Sequence, residues 1–268
     1  MCGRYTLTTQ TDLIDELELA RGTPTDAASE WWRPRFNIAP TQLAPVVIMD
    51  KSGARVVELM RWGLVPHWAD DLSIGSRMIN ARVEGLLTKP AFRDVIRRRR
   101  CLVPADGFFE WRSIAKKRMP LYIHPEPRRV VTFAGVWSRW RSKEPDSPVI
   151  DTYSIITVPA APLVRPVHDR MPLVLPAGHR AAWLDRGLED PEAIEHMLAD
   201  AATLDGWELT PVTMRVNKPD HDDPSCLDPP QPGELPDPAT SIPADPDPPV
   251  RKRAARKPKP PSGQGSLF

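Results

Sequence analysis

The second residue of the chain is a cysteine, and its position after Met1 gives it a chemistry that internal cysteines lack. A small second residue usually permits removal of Met1, and Cys2 then presents a free α-amine and a thiol on adjacent carbons. Their ordinary pKa values are about 8 and about 8.5, and we expect modest local shifts to increase both unprotonated forms. Aldehydes are the natural target, because the amine forms a Schiff base on which the thiolate closes as a thiazolidine. The alternative is that Cys2 is an incidental small residue at a translated start.

Three further polar residues stand among apolar or aromatic neighbours that packing alone would not select. Glu110 follows two phenylalanines in the segment GFFEW, where a buried carboxylate would be paired or would carry protons, and an edge glutamate would face solvent. Asn80 in the segment INAR can orient an amine or a sugar hydroxyl, or cap a helix. His168 in the segment VHDRMP suits general acid or base catalysis, although a lone histidine is more often structural.

Basic residues and aromatic residues recur near these segments. The basic ones are Arg4, Arg77, Arg82, Arg93 and the run 97–100, and the aromatic and proline residues lie in the segments 37–40 and 62–68. Such residues form single-strand binding surfaces, where stacking contributes roughly 1 to 3 kcal/mol per base. A solvated helix end explains the run 97–100 as well, and buried core tryptophans are the default alternative for the aromatic residues.

Composition limits the classes of protein that remain. The chain has 268 residues, a formal net charge of +1 and 3 cysteines, so neither a disulfide scaffold nor a CxxC zinc site is expected, and a reducing cytoplasm fits best. No HExxH motif or close histidine pair suggests a metal. No segment approaches the roughly 20 apolar residues that span a bilayer, and the first residues lack a signal-peptide pattern.

Proline and tryptophan divide the chain into two parts. Of the 33 prolines, 14 lie in residues 217–268, whereas all 9 tryptophans lie before residue 217. A segment so poor in apolar residues cannot offset the entropy of its own ordering. We therefore predict a folded domain over residues 1–216 and a disordered, extended tail over residues 217–268.

Hydrophobic patterning predicts the elements that position the candidate residues. After a first short strand, helical spacing of leucines predicts an amphipathic helix over residues 11–20. Runs of β-branched or aromatic residues predict strands at 45–50, 55–62, 120–125, 130–137 and 152–158, and helical patterns recur at 91–99, 181–184 and 191–202. The elements do not alternate as in a doubly wound sheet, so we expect an α+β fold with a mainly antiparallel, barrel-like sheet and flanking helices.

Six segments together resemble the SOS-response-associated peptidase (SRAP) family, the abasic-site processing proteins. They are MCGRY (1–5), FNIAPTQ (36–42), RWGLVPHWA (61–69), INARVE (79–84), CLVPADGFFEW (101–111) and VHDRMPLVL (167–175), in the family's order. The resemblance implies a protein that loses Met1 and crosslinks through Cys2 to abasic sites in single-stranded DNA, with no metal or organic cofactor.

The resemblance also implies a role for each matching position. Asn80 lies beside the amine, Glu110 carries protons for ring opening and Schiff-base formation, and His168 acts near the sugar oxygen. The DNA-binding positions are Arg82 and Arg170 as phosphate and sugar clamps, Arg4 and Arg77 as helpers, Pro40 and Trp68 as stacking surfaces, and Asn37 in the FNIAP segment.

The C-terminus suggests a partner. The chain ends with Gln264, Leu267 and Phe268 in QGSLF, after a basic run at 251–259. This ending looks like the QxxLF-type peptide by which bacterial repair proteins bind the replication sliding clamp, since two apolar anchors after a glutamine can enter a hydrophobic pocket. Such docking would bring the domain to the replication fork, and the basic run would add salt-dependent affinity for DNA.

Three functions remain open from the sequence. The first is covalent capture of abasic DNA with lyase-like chemistry at the Schiff base. The second is a thiol peptidase, acting on itself or on other proteins, with Cys2 as nucleophile and His168 as base. The third is a non-catalytic single-strand-binding module recruited by the clamp.

Overall fold

The computed structural model describes residues 2–9, 13–20, 23, 29, 31, 33–114, 117–199 and 204–234. Within these residues the strands are Tyr5–Leu7 (β1), Arg35–Ile38 (β2), Leu43–Met49 (β3), Arg55–Trp62 (β4), Asn80–Arg82 (β5), Arg100–Ala105 (β6), Gly107–Ile114 (β7), Lys117–Pro125 (β8), Val131–Arg141 (β9), Val149–Pro159 (β10), Arg170–Pro172 (β11), Val174–Leu175 (β12) and Trp207–Pro211 (β13). The α-helices are Leu13–Leu17 (α1), Val95–Arg98 (α2), Arg180–Leu184 (α3) and Pro191–Ala199 (α4). Short 3₁₀ helices span Leu72–Arg77, Val83–Gly85, Ala177–His179, Met214–Asn217 and Pro224–Leu227.

Five strands close into a barrel. Their order is β10-β4-β3-β6-β9, and β9 pairs back with β10. All of these pairings are antiparallel except that of β10 with β4. β9 is buried along most of its length, as expected where both faces of a strand are covered. Beyond the barrel, the C-terminal end of β10 pairs with β5 on one edge and with β11 on the other.

A second sheet packs against the barrel. Its order is β13-β8-β7-β1-β2, and every pairing is antiparallel. Aromatic rings join the two sheets: the Phe108 and Phe133 rings meet edge to face at 6.1 Å, and the hydroxyls of Tyr5 and Tyr153 lie 2.7 Å apart in a hydrogen bond. These buried contacts fix β1 and β7, which lead to Cys2 and Glu110, against the barrel.

The predicted fold class is confirmed, and the predicted strands correspond to β3, β4, β8, β9 and β10. The helix predicted at 181–184 is found as α3, whereas the helical patterns at 11–20 and 91–99 form shorter helices. The pattern over 91–99 forms only the single turn α2, after hydrogen-bonded turns around Lys89 and Phe92. The predicted helices at 11–20 and 191–202 appear as α1 and α4, and residues 200–203 lie outside the described part of the chain.

The folded domain extends beyond the predicted boundary at residue 216. The segment 217–234 packs onto the domain, since the Asp222 carboxylate accepts hydrogen bonds from the backbone N–H groups of Phe36 and Asn37, and Cys226 is fully buried. Cys226 is therefore a core residue, although it lies in the predicted tail. The rest of the predicted tail, including the basic run 251–259 and the residues Gln264, Leu267 and Phe268, lies outside the described residues. No helix among those that the structure describes has the length and apolar character needed to cross a membrane.

Candidate active site

Cys2 lies directly before β1 and is fully buried. Its Sγ donates a long, weak hydrogen bond to the carbonyl of Arg4 at 3.7 Å. Burial raises the pKa of the Cys2 thiol far above its ordinary value, and the negative charge of Glu110 raises it further. This direction is opposite to the shift that we expected from the sequence, because loss of hydration outweighs the favourable influences on the thiolate. In the chain that still begins with Met1, the thiol is held protonated.

Glu110 lies on β7, the neighbour of β1. The pairing of Tyr5 with Phe108 and the hydrogen bond from the Phe109 N–H to the Arg4 carbonyl bring this part of β7 alongside the residues that follow Cys2. Glu110 is 4% exposed, so the alternative from the sequence, an edge glutamate that faces solvent, does not apply. Burial raises its pKa, and the nearby charge of His168 acts in the opposite direction. Glu110 thus retains its proton at higher pH than an exposed glutamate, as a proton carrier must.

Asn80 begins β5 and does not cap a helix. Its Nδ2 donates a 2.8 Å hydrogen bond to the carbonyl of Cys2. Its Oδ1 is buried and has no hydrogen-bond partner among the described residues. A buried amide oxygen without a donor is costly, and it offers an acceptor to a group that arrives later.

The segment before Asn80 is held by close backbone contacts to the barrel. Gly63 has a φ of +119°, and a Cβ there would lie 2.6 Å from the carbonyl oxygen of Gly75, so no larger residue fits. The Trp62 indole N–H donates to the carbonyl of Ile79 at 2.8 Å. Because Trp62 is fully buried, this bond ties the start of β5 to the core and fixes Asn80 beside Cys2.

His168 lies in the loop before β11. The backbone N–H of Arg170 lies 2.9 Å from its Nδ1, and the Arg170 carbonyl and Asp169 Oδ1 lie 3.2 and 3.0 Å from the same atom, so the ring is anchored through Nδ1. Its side chain is 28% exposed, and its charge acts on the buried Glu110. The structure therefore brings Cys2, Asn80, Glu110 and His168 together from four separate parts of the chain. No group of three or more histidine, cysteine or acidic side chains suited to a metal ion occurs in the described ranges.

A cavity of about 410 Å³ opens beside Asn80. The predicted DNA-binding residues Trp68, Arg77 and Arg82 line it, and Trp68 is 50% exposed. Its other lining residues are Met78, Lys89, Pro90, Ala91 and Phe92. Sequence reasoning missed these five: Ala91 and Phe92 fell in the helix predicted over 91–99, and no motif singled out the other three. The turns around Lys89 instead bring the segment to the cavity.

Arg170, predicted as a clamp, is 8% exposed and already paired. Its guanidinium donates to both carboxylate oxygens of Glu84, at 2.9 and 3.0 Å, and to the Thr157 carbonyl at 2.6 Å. The hydrogen bonds from Arg170 also lower the pKa of the Glu84 carboxyl. In this arrangement Arg170 holds β11 against β10 and the Val83–Gly85 turn, and a DNA contact would require it to exchange partners.

Asn37 does not reach the surface. It is fully buried, and its Nδ2 donates to the carbonyls of Val216, Lys218 and His221 at 3.1, 3.0 and 2.7 Å. In this arrangement the amide of Asn37 anchors the segment 216–221, and its DNA contact stays a prediction that would require Asn37 to become exposed.

Arg4 and Pro40 stand apart from the cavity beside Asn80. Arg4 donates to the Asn37 Oδ1 at 2.9 Å and to the Val216 carbonyl at 2.6 Å, and its guanidinium lies 5.9 Å from the Trp111 ring centre. Pro40 is half-buried in the turn between β2 and β3. Neither residue lines the cavity, so their DNA-binding roles stay predictions.

Comparisons with known proteins show to which family the chain belongs. The chain is 34% identical over 230 residues to the abasic site processing protein YoqW of Bacillus subtilis, covering 85% of this chain and 99% of that protein. It is 31% identical over 228 residues to the abasic site processing protein HMCES of Gallus gallus, covering 74% and 67% of the two chains. A crystal structure of a Bacteroides thetaiotaomicron protein, 22% identical, has the same fold with a TM-score of 0.74 over 85% of this chain and 99% of that one. The SOS response associated peptidase family model matches residues 1–219, and the chain belongs to this SRAP family.

Proposed function

We propose that this protein recognises abasic sites in single-stranded DNA and becomes covalently attached to them through Cys2 after loss of Met1. The observation that supports this most directly is the 2.8 Å hydrogen bond from Asn80 to the Cys2 carbonyl, beside a buried glutamate of raised pKa. Two of the similar proteins are named for abasic site processing. An abasic deoxyribose opens to an aldehyde, which is the electrophile that an N-terminal cysteine captures.

The proposed reaction joins one aldehyde and one aminothiol with release of one water. The α-amine of Cys2 adds to the sugar C1′ carbon, and the resulting hydroxyl leaves as water after it receives a proton. This leaves a protonated imine; the thiol gives its proton to the Glu110 carboxylate, which supplied the first proton, and the sulfur adds to the imine carbon and closes the thiazolidine. The positive charge of the protonated imine favours the thiolate at that moment, and so offsets the high pKa that burial imposes on Cys2.

Each neighbouring side chain has a task in this sequence. Asn80 holds the Cys2 carbonyl through Nδ2, and its buried Oδ1 accepts a hydrogen bond from the new amine. Glu110, protonated because burial raises its pKa, supplies the proton to the leaving hydroxyl. His168, anchored through Nδ1, presents Nε2 to the sugar oxygen during ring opening. Acid or base assistance of this kind typically contributes about 10² to 10⁴ in rate.

The cavity beside Asn80 supplies the surface for the strand. Trp68 is a large exposed aromatic side chain on which a base can stack. Arg77 and Arg82 are exposed cations at the same cavity, suited to phosphates on either side of the lesion. The protein thereby distinguishes an abasic nucleotide from an intact one, because only the abasic sugar presents an aldehyde to Cys2.

A thiol peptidase is the second candidate, because the family description includes that activity. A peptidase needs a thiol activated by a base, whereas the Cys2 Sγ donates to a backbone carbonyl and its pKa is raised by the neighbouring Glu110. This arrangement favours the aminothiol reaction. Removal of Met1, by the chain itself or by an aminopeptidase, precedes that reaction in either case.

One experiment separates the candidates. The purified protein is mixed with a single-stranded oligonucleotide that has one abasic site and is resolved on a denaturing gel, beside an intact strand and the variants Cys2→Ala, Cys2→Ser and Cys226→Ala. We expect a stable band for the unaltered chain and for Cys226→Ala, and for Cys2→Ser only a Schiff base that borohydride must trap. The proposal is refuted if the unaltered chain gives no band, or if Cys2→Ala gives a stable band. Mass spectrometry of the crosslinked chain must show that Met1 is absent.

Recruitment by the replication sliding clamp through Gln264, Leu267 and Phe268 is a separate proposal that rests on the sequence of the C-terminus. Deletion of residues 264–268 should abolish binding to the clamp and leave crosslinking to abasic DNA unchanged. Unaltered clamp affinity after this deletion refutes the recruitment alone.

A further inference from the structure

A second cavity, of about 420 Å³, lies at the α2–β6 junction and shares no lining residue with the one beside Asn80. Six of its lining side chains are cationic: Lys51, Arg98, Arg99, Arg100, Arg139 and Arg186. The covalent chemistry proposed for Cys2 uses none of them. A cavity of this size falls within the range of about 300 to 1,000 Å³ that small-molecule sites occupy.

Part of this positive charge is neutralised within the protein. Arg139 forms a two-bond pair with Asp151, with N–O distances of 2.8 and 2.7 Å, and Arg98 pairs with Glu189 at 3.1 Å. Arg100 is buried and donates to backbone carbonyls, which explains one member of the run 97–100 as a structural residue.

Asp50 is the single carboxylate that lines the cavity. It accepts hydrogen bonds from the N–H groups of Ser52 and Ala54, at 2.8 and 2.9 Å, in the turn after β3. These bonds, together with that of the Ser52 hydroxyl, lower its pKa. The carboxylate thus serves the turn.

The other three cations are left without an ionic partner in the described part of the chain. Arg99, Lys51 and Arg186 form no ion pair there, and Arg186 donates only to the Asp50 carbonyl at 3.4 Å. Arg99 is half-buried, and its pKa is lowered by desolvation and by the charge of Arg139, although the Asp151 carboxylate that Arg139 binds acts in the opposite direction. A half-buried guanidinium beside a like charge is costly unless an anion completes the site.

The cavity also contains a flat apolar surface. The Arg99 guanidinium carbon lies 5.0 Å from the centre of the Trp137 ring, and that of Arg139 lies 5.8 Å from it. The backbone joins the same residues, since the Trp137 N–H donates to the Arg99 carbonyl at 2.9 Å. Arginine and tryptophan planes are the surfaces on which nucleobases stack, and the arginine fork matches phosphate oxygens.

We propose that this second cavity binds a nucleotide, with the phosphate at Arg99, Lys51 and Arg186 and the base against the Arg99–Trp137 pair. The nucleotide is either a free one or a unit of a nucleic-acid strand that passes over this face. The site is independent of the Cys2 chemistry, so it stands or falls separately from the crosslinking function.

The test uses the full chain with Cys2→Ala, which prevents covalent attachment, and isothermal titration with deoxyadenosine monophosphate. Arg99→Gln should weaken the affinity at least about tenfold, since it removes a charge-assisted hydrogen bond to the phosphate. Arg129→Gln, the same charge change at an exposed arginine outside the cavity, should leave the affinity unchanged. A thermal melt of each variant checks that it is folded.

Three results overturn the proposal: no binding of the nucleotide by the Cys2→Ala chain, equal loss of affinity with Arg129→Gln and Arg99→Gln, or equal binding of a polyglutamate peptide. Displacement of the bound nucleotide by an intact single-stranded oligonucleotide identifies a strand as the source of the nucleotide. Tight nucleotide binding that the oligonucleotide does not displace identifies a free nucleotide, and the assignment of the cavity holds in both cases.

Discussion

Two clusters of buried polar groups lie on either side of Arg4, and they differ in how completely they are satisfied. Around Asn37, the amide donates to three carbonyls and the Asp222 carboxylate accepts from two backbone N–H groups. Around Cys2, burial raises the pKa of both the thiol and Glu110, and the Asn80 Oδ1 has no partner within the described ranges. The polar groups named in the first cluster all have partners, whereas the second cluster leaves the Asn80 Oδ1 open to a ligand.

This difference separates stability from function. A buried polar group with full hydrogen bonding stabilises the fold, and one that is desolvated without compensation costs free energy and is retained for chemistry. Substitutions in the Asn37 cluster should therefore lower the stability and leave the reaction rate unchanged. Those in the Cys2 cluster should slow or abolish the reaction and change the stability little.

The largest expected effect is complete loss of crosslinking with Cys2→Ala. The variant lacks the sulfur that closes the ring, so the remaining imine hydrolyses when the protein is denatured. Cys226, one of the two other fully buried cysteines, packs among Phe109, Tyr122 and Val216 and serves as the control. Cys226→Ala should crosslink like the unaltered chain and melt at a lower temperature. If Cys2→Ala gives as much crosslinked product on a denaturing gel as the unaltered chain, the Cys2 cluster is not the site of the reaction.

Glu110→Gln should slow crosslinking by about 10² to 10⁴ in a single-turnover experiment, because the amide cannot deliver a proton to the leaving hydroxyl. In the unaltered chain the rate should fall as pH rises through the raised pKa of Glu110, since the acid form is the active one. This decrease should be absent from the profile of the variant. The same pH profile for both chains would assign the proton transfer to another group.

Two asparagines provide the sharpest test of the comparison. Asn37→Ala should lower the free energy of unfolding by about 2 to 4 kcal/mol, because three buried carbonyls each lose a bond worth about 1 kcal/mol. Asn80→Ala should change it much less, since Asn80 donates one bond and already leaves its oxygen unsatisfied. Urea denaturation measures both.

In the crosslinking assay the order should invert, with Asn80→Ala slow and folded Asn37→Ala normal. The assay is run without denaturant and well below the melting temperature of each variant. If Asn37→Ala reacts more slowly than Asn80→Ala under these conditions, the Asn37 cluster takes part in the reaction.

The sequence contained enough information for most of the site and for the class of fold. Strand runs such as 152–158 stand out because β-branched residues cluster between turn signals. Cys2 stands out through its position after Met1, and Glu110 through the apolar residues around it. What residue types cannot give is the environment created by distant segments. Asn37 and Asn80 look alike in sequence, and only the fold shows that 216–221 satisfies the one and that the other faces a cavity.

The ends of the predicted elements and of the domain depended on tertiary contacts in the same way. The segment 217–234 is rich in proline and acidic residues, a composition typical of disorder. It folds because Asp222 caps the exposed N–H groups of β2 and Cys226 enters a small apolar cluster. The strand β5, with three residues, is too short for any periodicity to reveal.

Trp68→Ala should weaken the affinity for an abasic single strand by about 1 to 3 kcal/mol, the usual worth of one stacked base. The side chain is half exposed, so its removal leaves no core cavity and stability should hold. Trp68→Phe keeps a flat ring and should lose less. Because stacking precedes chemistry, crosslinking at saturating oligonucleotide should proceed at the normal rate, and a slower rate at saturation would place Trp68 among the reacting groups. Fluorescence anisotropy in a Cys2→Ala background measures the affinity.

The smallest effect concerns the stability of the Cys2 cluster itself. The folded-state pKa of Glu110 lies above the unfolded value of about 4.3, so the folded chain binds the extra proton between these two pKa values. The contribution of Glu110 to stability is therefore fully present below the unfolded pKa, and it is lost as pH rises through the folded pKa, by about 1.4 kcal/mol for each unit of difference. Glu110→Gln removes this titration, so its free energy of unfolding should decline less than that of the unaltered chain as pH rises from 4 toward neutrality. Parallel stability curves for the two chains would mean that the carboxylate is compensated in the folded state, and the contrast with the Asn37 cluster would then disappear.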